Sequence, residues 1–310
     1  MGQRAIGGRR VRAFFGLVLF ATALGVQTAG AEPPETAPPH VMKVRGQSAD
    51  APGQSGKAAR IGTNGISYHG GPIMLGTKHA YVIWYGSWAG NSATTIVPDF
   101  LGAVGGSPYF NINTTYTNGS GASVANAVSY AGSTTDAYSQ GSTNLSDTAI
   151  RNIVSSAITS GRLPTDANGV YFVLTSKDVS KSGFKTQYCG WHTSATISGT
   201  AIKYSFVGDA TGTNLSSCAA QTASSPNGNP GVDAMVSVIA HELEESATDP
   251  QLNAWYDSRG YENADKCAWT FGATYPSANG SLANMHLGAR DFLIQRNWVN
   301  ALGGYCALSF

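Results

Sequence analysis

Charge is the scarcest ingredient of this chain. Only 12% of its 310 residues are Asp, Glu, Lys or Arg, about half the ~25% usual in a soluble domain. A formal net charge of +1 supplies no field to attract DNA or RNA, which excludes nucleic-acid binding by bulk charge. Long apolar runs are also missing. The one sustained run, residues 14–26, falls short of the ~20 residues that cross a bilayer as a helix, so no membrane association is expected once a leader is removed. No phosphate-binding P-loop, G-x-G-x-x-G or G-x-S-x-G elbow occurs, so the usual nucleotide-binding and serine-hydrolase signatures are absent. Cysteine is limited to four residues with no C-x-x-C spacing, which argues against a thiolate metal site.

What is present organises the chain into three parts. Arg4, Arg9, Arg10 and Arg12 precede the apolar run, and Ala29-Gly30-Ala31 follows it. Residues 1–31 therefore read as a signal peptide, and the mature protein as secreted or periplasmic. Residues 32–60 hold five of the 13 prolines and few large apolar residues; burial there cannot offset ordering entropy, so a disordered linker or pro-segment is expected. Residues 61–310 form the globular domain. Export permits disulfides. Four cysteines allow three connectivities, of which the neighbour pairing Cys189–Cys218 and Cys267–Cys306 is the expected one.

Within the domain, the apolar and aromatic runs 79–86 and 170–175 predict buried strands, and 201–207 alternates as a third. The alternation of Phe110, Ile112, Thr114 and Tyr116 predicts a half-buried strand. Residues 93–104 predict a short helix with Pro98 near its first turn. A second helix follows Ser146-Asp147, with Ile150, Ile153, Val154, Ala157 and Ile158 on one face and Gly161 at its end. The fold class is α/β (α+β): a mixed sheet packed by helices.

Residues 230–248 carry the most chemistry. Val232, Met235, Val236, Ile239 and Leu243 make one apolar stripe, and Ala234 and Val238 extend it around the helix, so the helix should be buried. His241 and Glu245 lie one turn apart on one face. Glu242, Glu244 and Glu245 crowd the C-terminal turns, where acids oppose the helix dipole and a cation should offset them. His241-Glu242-Leu243-Glu244-Glu245 is H-E-x-x-E, one residue from the H-E-x-x-H pattern that binds zinc and activates water. A carboxylate can replace the second imidazole. Glu262 and Asp265 follow 17 and 20 residues after Glu245, a return distance that resembles thermolysin-like peptidases, with one of the two as third ligand. His192 is expected to be structural beside a disulfide, with a place lining the cleft as the alternative; His69 is expected to sit in a turn, and His286 is a weaker alternative ligand.

Several stretches together resemble the EXORDIUM, or phosphate-induced protein 1, family. They are Tyr68-His-Gly-Gly-Pro-Ile, Tyr81-Val-Ile-Trp-Tyr-Gly-Ser-Trp88, Cys189-Gly-Trp-His, Gly231-Val-Asp-Ala-Met and Gly288-Ala-Arg-Asp-Phe-Leu. The resemblance implies an exported protein associated with the cell wall or matrix, with plant members linked to growth. It implies no set activity, and the plant pattern lacks the His and Glu set of residues 239–245.

Two readings follow. The first is an exported zincin-like peptidase or hydrolase, with His241, Glu245 and one of Glu262 or Asp265 on Zn2+ and Glu242 as general base; its partner would be a peptide or a cell-wall or matrix polymer. The second is a non-catalytic extracellular signalling or wall-associated protein of EXORDIUM type, whose acids are structural or hold calcium. Calcium prefers oxygen ligands and has no use for His241.

Overall fold

The computed structural model describes residues 1–3, 38–47 and 65–310. The expected signal peptide lies almost wholly outside the described residues, as does most of the expected linker. Contacts divide the chain into Met1–Pro33 and Pro34–Phe310; the structure below is that of the second unit.

Its centre is a six-stranded mixed sheet. In chain order the strands are β1 (His40–Lys43), β2 (Lys78–Tyr85), β3 (Val128–Asp136), β4 (Gly169–Thr175), β5 (Tyr188–Ile197) and β6 (Thr200–Gly208). Across the sheet they run β1-β5-β6-β4-β2-β3. The pairs β3–β2, β2–β4 and β4–β6 are parallel, whereas β5 lies antiparallel to β6 and β1 antiparallel to β5. Every residue of β4 is buried, as expected for a central parallel strand covered on both faces. Tyr81, Tyr171 and Tyr204 are aligned across three strands, and the first two rings stack at 4.8 Å.

Three helices of more than two turns pack on this sheet: α1 (Ala93–Ala103), α2 (Asp147–Thr159) and α3 (Pro230–Thr248). The Ser146 hydroxyl accepts the Ala149 amide and starts α2; Gly161, at φ +73°, closes its end where a side chain would be strained. In α1, Pro98 falls in the second turn, one turn further in than expected, and removes one intrahelical hydrogen bond. Helix α3 starts at Asn229, whose side chain accepts the Val232 amide, with Pro230 pre-set for the first turn. Every residue from Gly231 to Thr248 is buried. The helix packs against β5 and β6, with α1 beside it.

Three sequence expectations change. Residues 110–115 form a 3-10 helix, not a strand. Side chains explain it: the Thr114 and Thr115 hydroxyls donate to the carbonyls of Asn111 and Ile112, and the Asn113 amide donates to that of Phe110. Such local bonds offer the backbone an alternative to a ladder. Residues 40–43, inside the segment expected to be a linker, form β1; four main-chain pairings and the burial of Met42 hold them. Strands β3 and β5 carried too few apolar alternations to be expected. β3 is an exposed sheet edge, where polar residues suffice.

The C-terminal region adds short hairpins around a 3-10 turn at Asp265–Cys267. Disulfides join Cys189 to Cys218 and Cys267 to Cys306, with Cα atoms 5.4 and 5.5 Å apart. This is the expected pairing, and each bridge is worth ~3–4 kcal/mol in the chain-entropy picture. Among the described residues no helix is long and apolar enough to cross a membrane.

Candidate metal centre

The C-terminal half of α3 faces a buried polar pocket built by four segments. His241 Nε2 lies 2.9 Å from Glu245 Oε1, one turn on, as the helical spacing requires. The 262–265 segment closes over them: Asp265 Oδ1 is 3.5 Å from His241 Nε2, and the Asp265 amide donates to Glu245 Oε1 at 3.2 Å. The Cys267–Cys306 bridge anchors this segment two residues further on. From the sheet, β5 contributes His192, with Nε2 3.3 Å from Glu262 Oε1 and 3.5 Å from Glu245 Oε2. Strand β1 contributes His40, whose Nε2–H donates to Asp265 Oδ2 at 2.5 Å while Nδ1 lies 3.5 Å from Glu262 Oε1.

Three overlapping ligand sets result: His241, Glu245 and Asp265; His192, Glu242 and Glu245; and His40, Glu245 and Glu262. Within each set the ligand atoms lie within 4.8 Å of one another. Glu245 is common to all three. Both oxygens of Glu242, Glu245 Oε2, Glu262 Oε2, His192 Nδ1 and both ring nitrogens of His241 are buried without a hydrogen-bond partner. Buried polar atoms are nearly always paired, and leaving one unmade costs about 1–3 kcal/mol. These buried, unpaired atoms are of the kinds that could hold a cation.

The electrostatics agree with that geometry. Burial pushes the Glu242 and Glu262 carboxyls well above the ordinary range, and neighbouring acids add to it. Burial also drives the His192 imidazole well down, helped by His40 and His241. Burial works to lower His40, but the Asp265 carboxylate holds it up at about 9. Asp265 in turn stays below its usual range despite burial, because His40 and His241 face it.

The structure brings together His241, Glu242, Glu245, Glu262 and Asp265. It also brings in His192, for which a structural place beside the disulfide was the first expectation and a cleft-lining one the alternative, and His40, which carried no expectation. Glu244, grouped in the sequence with the other two acids, points elsewhere: Asn297 Nδ2 donates to its Oε2 at 2.6 Å, and burial raises its carboxyl to about 8. His286 is exposed and paired with Asp291, and His69 stacks on Tyr256 outside the pocket. His192 could have been found from its strand parity with Gly190. A Cβ at Gly190 would sit 2.5 Å from Val238 Cγ1 and 3.0 Å from Glu242 Oε1, so only glycine lets α3 approach β5 this closely. Gly190→Ala is expected to cost about 1–3 kcal/mol by overpacking. Urea melts would check this, and an unchanged midpoint would contradict the close approach.

Comparison with known proteins places this architecture. Residues 66–293 match the phosphate-induced protein 1 conserved region. Protein EXORDIUM-like 3 of Arabidopsis thaliana is 31% identical over 278 residues, covering 78% of this chain and 82% of the relative. Protein EXORDIUM-like 5 of Arabidopsis thaliana is 32% identical over 273 residues, 75% of each. Protein EXORDIUM of the same plant is 26% identical over 254 residues, 70% of this chain and 77% of the relative. No solved structure matches the chain significantly. With the matched region running from residue 66, ahead of β2, to residue 293, beyond the Glu262–Asp265 segment, the chain belongs to the EXORDIUM, or phosphate-induced protein 1, family.

Proposed function

We propose that this protein is an exported metalloprotein of the EXORDIUM type, whose centre binds one zinc ion and hydrolyses peptide bonds. The supporting observation is the set of His241, Glu245 and Asp265 ligand atoms, mutually within 4.8 Å and buried. One imidazole and two carboxylates suit zinc. The three histidines of the pocket count against calcium, which takes oxygen ligands. Bound zinc would polarise the scissile carbonyl and lower the pKa of a water.

The chain's own residues would do the rest. Glu242, next to His241 and with both oxygens unpartnered, would accept the proton of the attacking water and return it to the leaving amine. His192 on β5 would donate toward charge developing on the substrate oxygen. Glu262 would brace His192 and His40, which it meets at 3.3 and 3.5 Å. Two disulfides and the low charge support an oxidising destination outside the cell. N-terminal sequencing of the exported protein is expected to begin at or after Glu32; recovery of only the intact Met1 form in the cytosol would contradict export.

Protein purified without chelator is expected to carry about one zinc per chain by elemental analysis. At a thousandfold excess over Kd a ligand stabilises by ~4 kcal/mol, and each kcal/mol moves Tm by about 2–4 °C at this size. Chelation should therefore lower Tm by roughly 8–16 °C. Metal-free protein with a Tm indifferent to added zinc would sink the hydrolase reading and leave a non-catalytic EXORDIUM-type role.

A further inference from the structure

We propose that the free side of β5, beside the metal centre, is the binding place of an extended peptide added as an antiparallel strand, and that His40–Lys43 is this chain's own occupant of it. The inference deepens the hydrolase reading by naming its substrate class, and rests on that reading only for the fate of the bound peptide. Strand β1 lies outside the family-matched residues 66–293. Within those residues the sheet ends at β5, so one row of β5 main-chain groups is open to a strand from elsewhere.

The occupant uses this edge as a bound peptide would. His40, Val41 and Met42 pair with His192, Trp191 and Gly190, and Lys43 pairs with Tyr188 after a one-residue irregularity. Strand addition of this kind takes affinity from the main chain and selectivity from pockets for alternate side chains. Here the alternate side chains are His40, which enters the centre against Asp265 and Glu262, and Met42, wholly buried with its sulfur 3.6 Å from Gln295 Nε2. Beyond the irregularity, Lys43 Nζ donates to the Tyr261 hydroxyl at 3.4 Å. The Lys43 carbonyl accepts the Trp269 indole N–H at 3.0 Å.

This register carries two consequences. With the His40 imidazole on two of the candidate ligands, the segment fills the centre while it stays in place. A peptide with a small residue at that register would instead lay its backbone beside Glu242 and His192. The preferred peptide is extended, with a large flexible apolar residue two positions after the one at the centre and a basic residue next. Proline within the paired stretch would remove a ladder donor and is excluded.

The test uses the full mature chain carrying a site-specific protease sequence inserted between residues 53 and 57. After cutting, the released piece should exchange, and a fluorescein-labelled synthetic peptide of residues 36–47 should bind one-to-one by polarisation, in chelator and without it. A Met42→Asp version of that peptide should bind at least tenfold more weakly, and the uncut protein should not bind either peptide. Retention of the cut piece against excess peptide, loss of fold when it leaves, or equal binding of the Met42→Asp peptide would each overturn the proposal. Protein that binds the peptide but, purified without chelator, carries no zinc and shows a Tm indifferent to added zinc would refute the hydrolase reading alone. Zinc-loaded protein that binds none would refute only the strand site.

Discussion

The Ile239→Asp protein is expected to fail to fold. Ile239 is fully buried on α3, two residues before His241, and that helix is enclosed along its length by β5, β6 and α1. Losing the isoleucine costs about 2–5 kcal/mol by cavity and transfer terms. The carboxylate that replaces it adds several more, because an unpaired buried charge finds no compensation. Together these approach the 5–15 kcal/mol that holds a typical domain. Circular dichroism and soluble yield would read the outcome, with Leu302→Asp as control, since Leu302 is 87% exposed. A cooperative melt of Ile239→Asp near the wild-type temperature would show that α3 is not a core element.

The second large effect separates metal binding from chemistry. Glu245 belongs to all three ligand sets, so Glu245→Gln is expected to abolish zinc retention, as is His241→Ala. In chelator the Glu245→Gln protein is expected to melt below wild type, because it removes the carboxylate that His241 Nε2 meets at 2.9 Å, and a buried pair that loses one partner is destabilised; the loss of metal is therefore read by elemental analysis rather than by Tm. Glu242→Gln should keep the metal and lower peptide hydrolysis by about 10²–10⁴, the usual worth of a general base. Elemental analysis of the full mature chain, and a fluorogenic peptide assay on chain cut and freed of its His40–Lys43 piece, decide it. Loss of metal in Glu242→Gln, or full activity in that variant, would reassign the residue.

Helix α3 was legible because every local cue agreed. Asn229 and Pro230 mark its start, apolar residues circle it, and His241 and Glu245 fall one turn apart by helical geometry alone. The 262–265 segment was legible only as a return distance, and sequence left Glu262 and Asp265 equivalent. The structure distinguishes them: Asp265 meets His241, and Glu262 meets His192 and His40. His40 left no local trace, because its place depends on pairing with a strand some 150 positions away, and a proline-rich setting pointed to disorder. Residues 110–116 misled in the opposite sense. The 3-10 turn buries Phe110, Ile112 and Asn113, and Tyr116 follows it in extended backbone; a turn of three residues per cycle thus carries an apolar alternation that hydropathy does not distinguish from a strand.

If the centre takes zinc as proposed, the placement of the two disulfides sets an order of events in maturation. Cys189 precedes His192 by three residues, and Cys267 follows Asp265 by two. In the reduced chain all four sulfurs are soft thiol ligands, which zinc takes in preference to carboxylate oxygen. An ion captured at that stage would sit on sulfur and hold apart the thiols that must join. Once the bridges close, those competitors are gone and the imidazoles and carboxylates are left as the donors. On the zinc reading proposed above, oxidation would precede metallation, and chain made in a reducing cytosol with abundant zinc is expected to accumulate as a misloaded, bridge-deficient form that later oxidation does not rescue without a chelator.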